Sequence, residues 1–230
     1  MIPDFVIHTW GRSNDVGQDT TAGYTAANAG VMMWNGSAWV AYEDPYPTWG
    51  TGASWRPAFG NKFIELTGLT VGFCVSSVSG ISTVTHWQLG KDDGYYSAAY
   101  NRVVSVGKID GLIYWCEDHD ASPTKQEILD ALSAFIGHVE TDLSAYNANL
   151  RVAAVIPYWV AASAADETAA YFETAGLNKR LTIIGDAQKA TRLAADAVHV
   201  NKAGMDYLGE RMAIKFCAKR LKHGAGTMFL

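Results

Sequence analysis

Residues 5–15 read FVIHTWGRSND, and this stretch carries the pattern on which the fold rests. Its first five residues, FVIHT, form a short β-prone run that ends at Gly11 and the polar residues after it. The pattern predicts a buried strand that leads directly into a loop. Similar apolar runs, each predicted to be a strand, recur at residues 70–76, 110–116, 150–158 and 181–184.

Helical patterns separate these runs. Residues 57–67 begin with a proline and precede Gly68, as is typical of the two ends of a helix. A second helix is predicted from residue 122, because apolar residues continue from there at helical spacing. Two further helices are predicted at residues 164–175 and 201–221.

The alternation of strands and helices predicts the fold class. Strands that are almost continuously apolar are typical of a parallel sheet covered by helices on both faces, so the chain is predicted to be an α/β protein. Within residues 31–40, Asn35-Gly36 predicts a hairpin with a two-residue turn. No repeat or linker divides the sequence, and residues 1–230 are predicted to form a single domain.

Composition argues against several classes of protein. The chain has 230 residues with 18 Lys+Arg against 23 Asp+Glu, and its net charge of −5 argues against a nucleic-acid partner. Cys74, Cys116 and Cys217 show neither paired nor zinc-binding spacing, which predicts free thiols. No apolar run approaches the roughly 20 residues of a membrane span, so no membrane partner is expected. The oligomeric state stays open.

The amino-terminal residues predict a location. They lack a basic segment followed by an apolar core, so no secretory signal is expected. The protein is therefore expected in the cytoplasm or, if a phage encodes it, in the virion.

The candidate reactive groups are Ser13 and the pair formed by Asp196 and His199. Ligands of parallel sheets bind beyond the carboxyl ends of the strands, where Ser13 follows the first strand. In Asp196-Ala-Val-His199, the carboxylate would orient the imidazole, which would then accept a proton from a serine. The alternatives are a turn serine and a solvated turn before a helix. The absence of a GxSxG motif disfavours the α/β-hydrolase fold.

Five segments, in order, resemble the motifs of one family. GRSN is similar to GQSN, and later segments are similar to a GPAFA-type helix, to VGGTS, to GkikGvLWhQGEsDA and to a terminal D-x-x-H block. These segments lie at residues 11–14, 55–68, 78–82, 107–121 and 196–213. The chain thereby resembles SGNH hydrolases of the sialate O-acetylesterase and acetylxylan esterase type.

The resemblance implies a fold, an activity and a set of site residues. The fold would be a three-layer α/β/α sandwich with a mostly parallel, flavodoxin-like sheet. The activity would be removal of acetyl groups from carbohydrate, with no metal and no cofactor. Ser13 would be the nucleophile and would supply one oxyanion N–H, and Gly80 would supply a second. His199 would be the general base, oriented by Asp196.

This chain departs from the family pattern in its third block. The Gln that would complete the oxyanion hole is replaced by Cys116 in one alignment and by Glu117 in another. A thiol donates weakly and an ionised carboxylate does not donate, so a slow esterase is expected unless Asn14 or His119 substitutes. The alteration also favours a second interpretation. That interpretation is a catalytically weakened carbohydrate- or receptor-binding domain, for example of a phage tail protein.

Substrate contacts are predicted for Arg12, Asn14, His86 and Trp87. The arginines Arg12, Arg56 and Arg102 would hold an acidic sugar or else lie solvated on the surface. The eight tryptophans would form a sugar-binding face or a core. His8 is predicted to be a core histidine. The acidic run at residues 117–120 is interpreted as a solvated loop rather than a metal site.

Overall fold

A computed structural model describes residues 1–21, 23–46, 51–88, 94–116, 123–157, 164–194 and 198–222. The strands are β1 (Phe5–Gly11), β2 (Val31–Trp34), β3 (Trp39–Ala41), β4 (Val71–Val75), β5 (Gly111–Trp115), β6 (Val152–Ile156) and β7 (Leu181–Asp186). The helices are α1 (Ser13–Val16), α2 (Arg56–Thr67), α3 (Tyr95–Val106), α4 (Lys125–Asp142), α5 (Ala164–Leu177) and α6 (Lys202–Lys222).

The strands form one sheet in the order β3-β2-β4-β1-β5-β6-β7. Every neighbouring pair is parallel except β2 and β3, which form an antiparallel hairpin. The part β4-β1-β5-β6-β7 follows the flavodoxin-like order 2-1-3-4-5, which confirms the predicted fold class. In this order the chain leaves β1 towards one side of the sheet and later returns to the other side. The crevice for a ligand is therefore expected beyond the end of β1.

Helices cover both faces of the sheet. On one face, α2 and α6 pack on the central strands in an apolar cluster that includes Phe59 of α2, Phe73 of β4 and Met212 of α6. On the other face, α3, α4 and α5 enclose a second cluster that includes Trp10, Tyr114 and Phe135. Within the part of the chain that the structure describes, no helix is long and apolar enough to cross a membrane.

Two local features differ from the sequence-based expectations. The hairpin was predicted with a two-residue turn, but Trp34 pairs with Trp39, so four residues connect the strands. The Asn35 side chain accepts hydrogen bonds from the N–H groups of Ser37 and Ala38, which stabilises this wider loop. In addition, helix α3 was not predicted.

Candidate active site

Ser13 lies at the carboxyl edge of the sheet, where β1 ends. Gly11 is required there, because a Cβ atom at this position would lie 2.1 Å from the carbonyl oxygen of Trp115. The next N–H, that of Arg12, donates to the same carbonyl oxygen at 2.9 Å. The chain then turns directly into α1, whose first residue is Ser13. This close approach to β5 places the serine beyond the central strand.

Ser13 and His199 meet at this edge, although 186 residues separate them in the sequence. The distance between His199 Nε2 and Ser13 Oγ is 3.0 Å. His199 is half-buried and Ser13 is 4% exposed. A serine hydroxyl within hydrogen-bond distance of an imidazole nitrogen is the geometry of a nucleophile and its base.

Asn14 holds the backbone on both sides of His199. Its Oδ1 accepts a hydrogen bond of 2.8 Å from the N–H of Val200, and its Nδ2 lies 3.5 Å from the carbonyl oxygen of Val198. The Asn14 side chain is buried and directed into this segment. The prediction that Asn14 contacts substrate is therefore corrected, because the amide is used to hold the segment that carries His199.

The predicted carboxylate partner of His199, Asp196, lies outside the described residues. Asp186, at the end of β7, is another carboxylate that follows a strand of the sheet. It accepts a hydrogen bond of 3.1 Å from the N–H of Gln188 and lies 3.2 Å from Lys189 Nζ. Its described contacts thus lie within its own turn and do not include His199.

The second segment near Ser13 carries Gly80. The N–H of Val78 donates to the carbonyl oxygen of Gly11 at 3.1 Å, which fixes this segment beside the end of β1. Gly80 has φ of 83°, a left-handed conformation that favours glycine. Among the described residues, neither the N–H of Ser13 nor that of Gly80 has a hydrogen-bond partner.

Cys116 does not present its thiol to this crevice. The side chain is fully buried, and its Sγ lies 3.6 Å from the carbonyl oxygen of Ile81, to which it donates. The prediction of Cys116 as an oxyanion donor is therefore corrected, because the thiol is used to hold the Gly80 segment. Glu117, the other predicted donor, lies outside the described residues, as does the acidic run at residues 117–120.

The interpretations of Trp87 and Arg56 are also corrected. Trp87 is fully buried and stacks on Trp10, with ring centroids 5.6 Å apart. Arg56 was expected on the surface or against an acidic sugar, but its side chain is fully buried in an ion pair with Asp15. Trp10, Trp55 and Trp115 are also fully buried. These tryptophans therefore belong to the core rather than to a sugar-binding face.

Substrate contacts at His86 and Arg12 remain predictions. His86 is half-buried, and its Nδ1 accepts hydrogen bonds from the N–H of Ser82 at 3.1 Å and from the Thr85 hydroxyl at 2.6 Å. The imidazole is thereby held beside the Gly80 segment. Arg12 directly precedes the candidate nucleophile and is buried rather than solvated.

Asp15 is the site residue that the sequence did not reveal. Its buried carboxylate accepts hydrogen bonds from Arg56, Trp55 and Ser77. Asp15 lies within the stretch quoted first, but its charged partner is 41 residues away. No local periodicity relates two positions at that distance.

A family model described as carbohydrate esterase, sialic acid-specific acetylesterase, matches residues 9–218. The chain belongs to this family. The recognition from sequence motifs is thereby confirmed. Members of this family of carbohydrate esterases are ester hydrolases, which agrees with the geometry at Ser13. A comparison with curated protein sequences finds no match to the chain.

Several solved structures have a similar fold. A protein from Arabidopsis thaliana has a TM-score of 0.78 at 15% identity, covering 94% of this chain and 98% of that chain. A carbohydrate acetylesterase from Xanthomonas citri has a TM-score of 0.69 at 15% identity, covering 96% of this chain and 56% of that chain. A family two carbohydrate esterase from Cellvibrio japonicus has a TM-score of 0.62 at 14% identity, covering 95% and 62%. This carbohydrate esterase thus spans only part of the length of the last two proteins.

Proposed function

We propose that this protein is a serine esterase that removes O-acetyl groups from carbohydrate, with Ser13 as nucleophile, His199 as general base and Asp196 as the orienting carboxylate. The observation that carries the proposal is the 3.0 Å distance between Ser13 Oγ and His199 Nε2 at the carboxyl edge of the sheet. Family membership supplies the class of ester. A domain that only binds carbohydrate has no need of a serine paired with an imidazole.

The geometry supports a two-step acyl transfer. In the first step, Ser13 Oγ attacks the acetyl carbonyl carbon while His199 Nε2 takes the hydroxyl proton. The tetrahedral intermediate then collapses, and the imidazolium returns the proton to the departing sugar oxygen. In the second step, His199 activates a water molecule that attacks the acetyl-enzyme. Acetate leaves, and the Ser13 hydroxyl is regenerated.

Two backbone groups support the negative charge of the intermediate in this proposal. The N–H groups of Ser13 and Gly80, which have no partner among the described residues, are the proposed donors to the oxyanion. A side-chain donor in the third block would add to them, and its loss costs about 10²–10³-fold in kcat. We therefore propose a slow esterase. Glu117→Gln should raise kcat, whereas Cys116→Gln should not, because the Cys116 thiol binds the carbonyl oxygen of Ile81.

Hydrolysis of 4-nitrophenyl acetate, followed by a panel of acetylated glycans, tests the proposal. The parent should turn over the esters and Ser13→Ala should lose that activity. Ser76→Ala is the matched control, because Ser76 is also buried at the end of a strand and its hydroxyl has no described hydrogen-bond partner. Retention of activity in Ser13→Ala would overturn the assignment. Binding of glycans without any hydrolysis would favour a binding domain instead.

A further inference from the structure

A fully buried ion pair connects the short helix of the candidate nucleophile to helix α2. Asp15 Oδ2 and Arg56 Nη2 are 2.6 Å apart, and neither side chain is exposed to solvent. Asp15 belongs to the same short helix as Ser13, whereas Arg56 is the first residue of α2. Burial alone would lower the pKa of Arg56, but the carboxylate of Asp15 raises it above its ordinary value, so the guanidinium stays charged.

The guanidinium of Arg56 binds the chain on both sides of Ser13. Its Nη1 donates to the carbonyl oxygen of Asp15 at 2.7 Å. Its Nη2 donates to the hydroxyl of Thr9 at 2.8 Å, near the end of β1. One planar side chain therefore fixes the strand before the nucleophile and the turn after it.

The carboxylate of Asp15 extends the same network to the other oxyanion segment. Its Oδ1 accepts a hydrogen bond of 3.0 Å from Trp55 Nε1. Its Oδ2 accepts a hydrogen bond from the hydroxyl of Ser77, which lies two residues beyond β4 in the segment that leads to Gly80. The pair thus connects the segment that carries the N–H of Ser13 with the segment that carries the N–H of Gly80.

Stability alone is a weak reason for such a pair. Removing two charges from water costs several kcal/mol per ion, and replacing a buried ion pair with apolar residues of similar volume is often neutral or stabilising. Trp55, which binds Asp15, packs edge-on against Phe59 and Phe73, and Arg56 also interacts with Tyr42 and Asp44. Apolar side chains of similar volume would pack beside these rings, but they would not replace the hydrogen bonds of the pair.

We propose that Asp15 and Arg56 are positioning residues that hold the Ser13 turn and the Gly80 segment in the relative geometry that the oxyanion hole requires. This inference rests on the proposed esterase function. The pair does not touch substrate and acts through the backbone of the two segments. Its removal should therefore lower kcat and leave KM nearly unchanged, because the transition state gains more from the oxyanion donors than the ground state does.

The decisive variant is Asp15→Leu/Arg56→Met, which replaces the charges with apolar groups. We expect its melting temperature to fall, because Thr9, Trp55 and Ser77 lose buried hydrogen-bond partners. The kcat of the folded protein should fall roughly 10–100-fold, since small misplacements of reacting groups cost up to about 10²-fold. If the double variant folds poorly, Arg56→Lys serves in its place. A lysine keeps the charge but cannot bind Thr9 and Asp15 with one planar group, so the kcat of the folded protein should again fall.

Asp110→Asn is the matched control. Asp110 is a carboxylate that lies 3.2 Å from Lys108 Nζ and accepts a hydrogen bond of 2.8 Å from the N–H of Val6, near the amino end of β1 and away from Ser13. Its substitution should lower stability and leave kcat unchanged. An unchanged kcat in the folded double variant would overturn the positioning role and leave the pair as a structural feature only.

Hydrogen exchange separates failure of this inference from failure of the proposed function. In the double variant, the amides of residues 11–17 and 77–80 should exchange at least about tenfold faster, while those of β5 and β6 should not change. This readout does not depend on ester hydrolysis. If the parent proves inactive, faster exchange in both segments still supports the positioning role. Unchanged exchange overturns it whether or not the parent is an esterase.

Discussion

The two faces of the sheet are built differently beside the end of β1. On the α2 and α6 face, a buried charged pair connects α1, which carries Ser13, to α2, and it contacts the ring of Trp55. On the α3, α4 and α5 face, Trp10 stacks on Trp87 with an interplanar angle of 7°, and Phe135 packs edge-on against both rings. The comparison indicates that the second face serves mainly stability. The first face instead contains the polar network that we propose to hold the turn of Ser13.

The largest effect on activity is expected from His199→Ala. Loss of the base should lower kcat by about 10³-fold or more, and the double variant with Ser13→Ala should be no worse than either single one, because such residues act as a unit. Because an imidazole acts as a base only when unprotonated, kcat/KM of the parent should fall towards acid pH. A flat profile from acid to neutral pH, or additive losses in the double variant, would contradict the pairing. Steady-state kinetics provide both measurements.

Phe135→Ala, in contrast, should lower stability and leave activity unchanged. Phe135 is fully buried on the aromatic face, and its ring centroid lies 4.4 Å from that of Tyr114. Truncation should cost about 3–5 kcal/mol of unfolding free energy, because it leaves a cavity. The kcat of the folded fraction should not change. Urea unfolding and kinetics on the same preparation would check this, and a large loss of kcat without loss of stability would break the distinction between the two faces.

His8 makes the aromatic face sensitive to acid. Burial lowers the pKa of His8 to about 4, against an ordinary value of 6.5, although a hydrogen bond to the carbonyl oxygen of Lys108 favours the charged form. The folded state therefore disfavours protonation. The resulting stability is fully present above about pH 6.5 and is lost as the pH falls towards 4, by about 3 kcal/mol in all.

A His8→Gln variant tests this pH dependence. Its unfolding free energy should fall by about 3 kcal/mol less than that of the parent between pH 7 and pH 4. His138→Gln is the control, because His138 is half-buried and water still reaches the side chain. Identical pH dependence in the parent and in His8→Gln would show that His8 is not the group that titrates.

Asn14→Ala should have a moderate effect on activity. The substitution leaves the buried N–H of Val200 without its acceptor and loosens the segment that carries His199. The cost is roughly 1–2 kcal/mol, or about tenfold in kcat/KM. KM should change little, because Asn14 holds His199 rather than substrate. A rise in KM with unchanged kcat would restore the earlier interpretation of Asn14 as a substrate contact.

Removal of divalent ions by a chelator should leave the rate of ester hydrolysis unchanged. The proposed chemistry uses only a serine nucleophile, an imidazole base and backbone amide donors. Assays before and after exhaustive chelation should therefore give equal rates. Activity that disappears and returns with one divalent ion would make the acidic run at residues 117–120 part of the site.

Much of the fold could be predicted from the sequence because its strands are buried on both faces. Such strands appear as continuous apolar runs, as in β1, β4, β5 and β6. Helix α3 was missed because its buried side is narrow, limited to Tyr96, Ala99 and Val103. The Trp87 prediction was wrong because a large aromatic residue suits a core as well as a sugar site.

The candidate site was found only in part. Ser13 and His199 stand in short motifs, so the sequence was enough to nominate them. The pair of Asp15 and Arg56 depends on tertiary contact across 41 residues, and the use of Asn14 as a support for His199 depends on contact across 186 residues. No spacing rule predicts such contacts from one sequence.

The most direct test of the account is to locate the reactive serine. A phosphonofluoridate should label the parent at Ser13, as identified by mass spectrometry of the peptide that contains residues 11–17, and His199→Ala should be labelled far more slowly. Ser13→Ala should take up no label and should show no ester hydrolysis. Label recovered on a different serine, together with an active Ser13→Ala variant, would contradict the account.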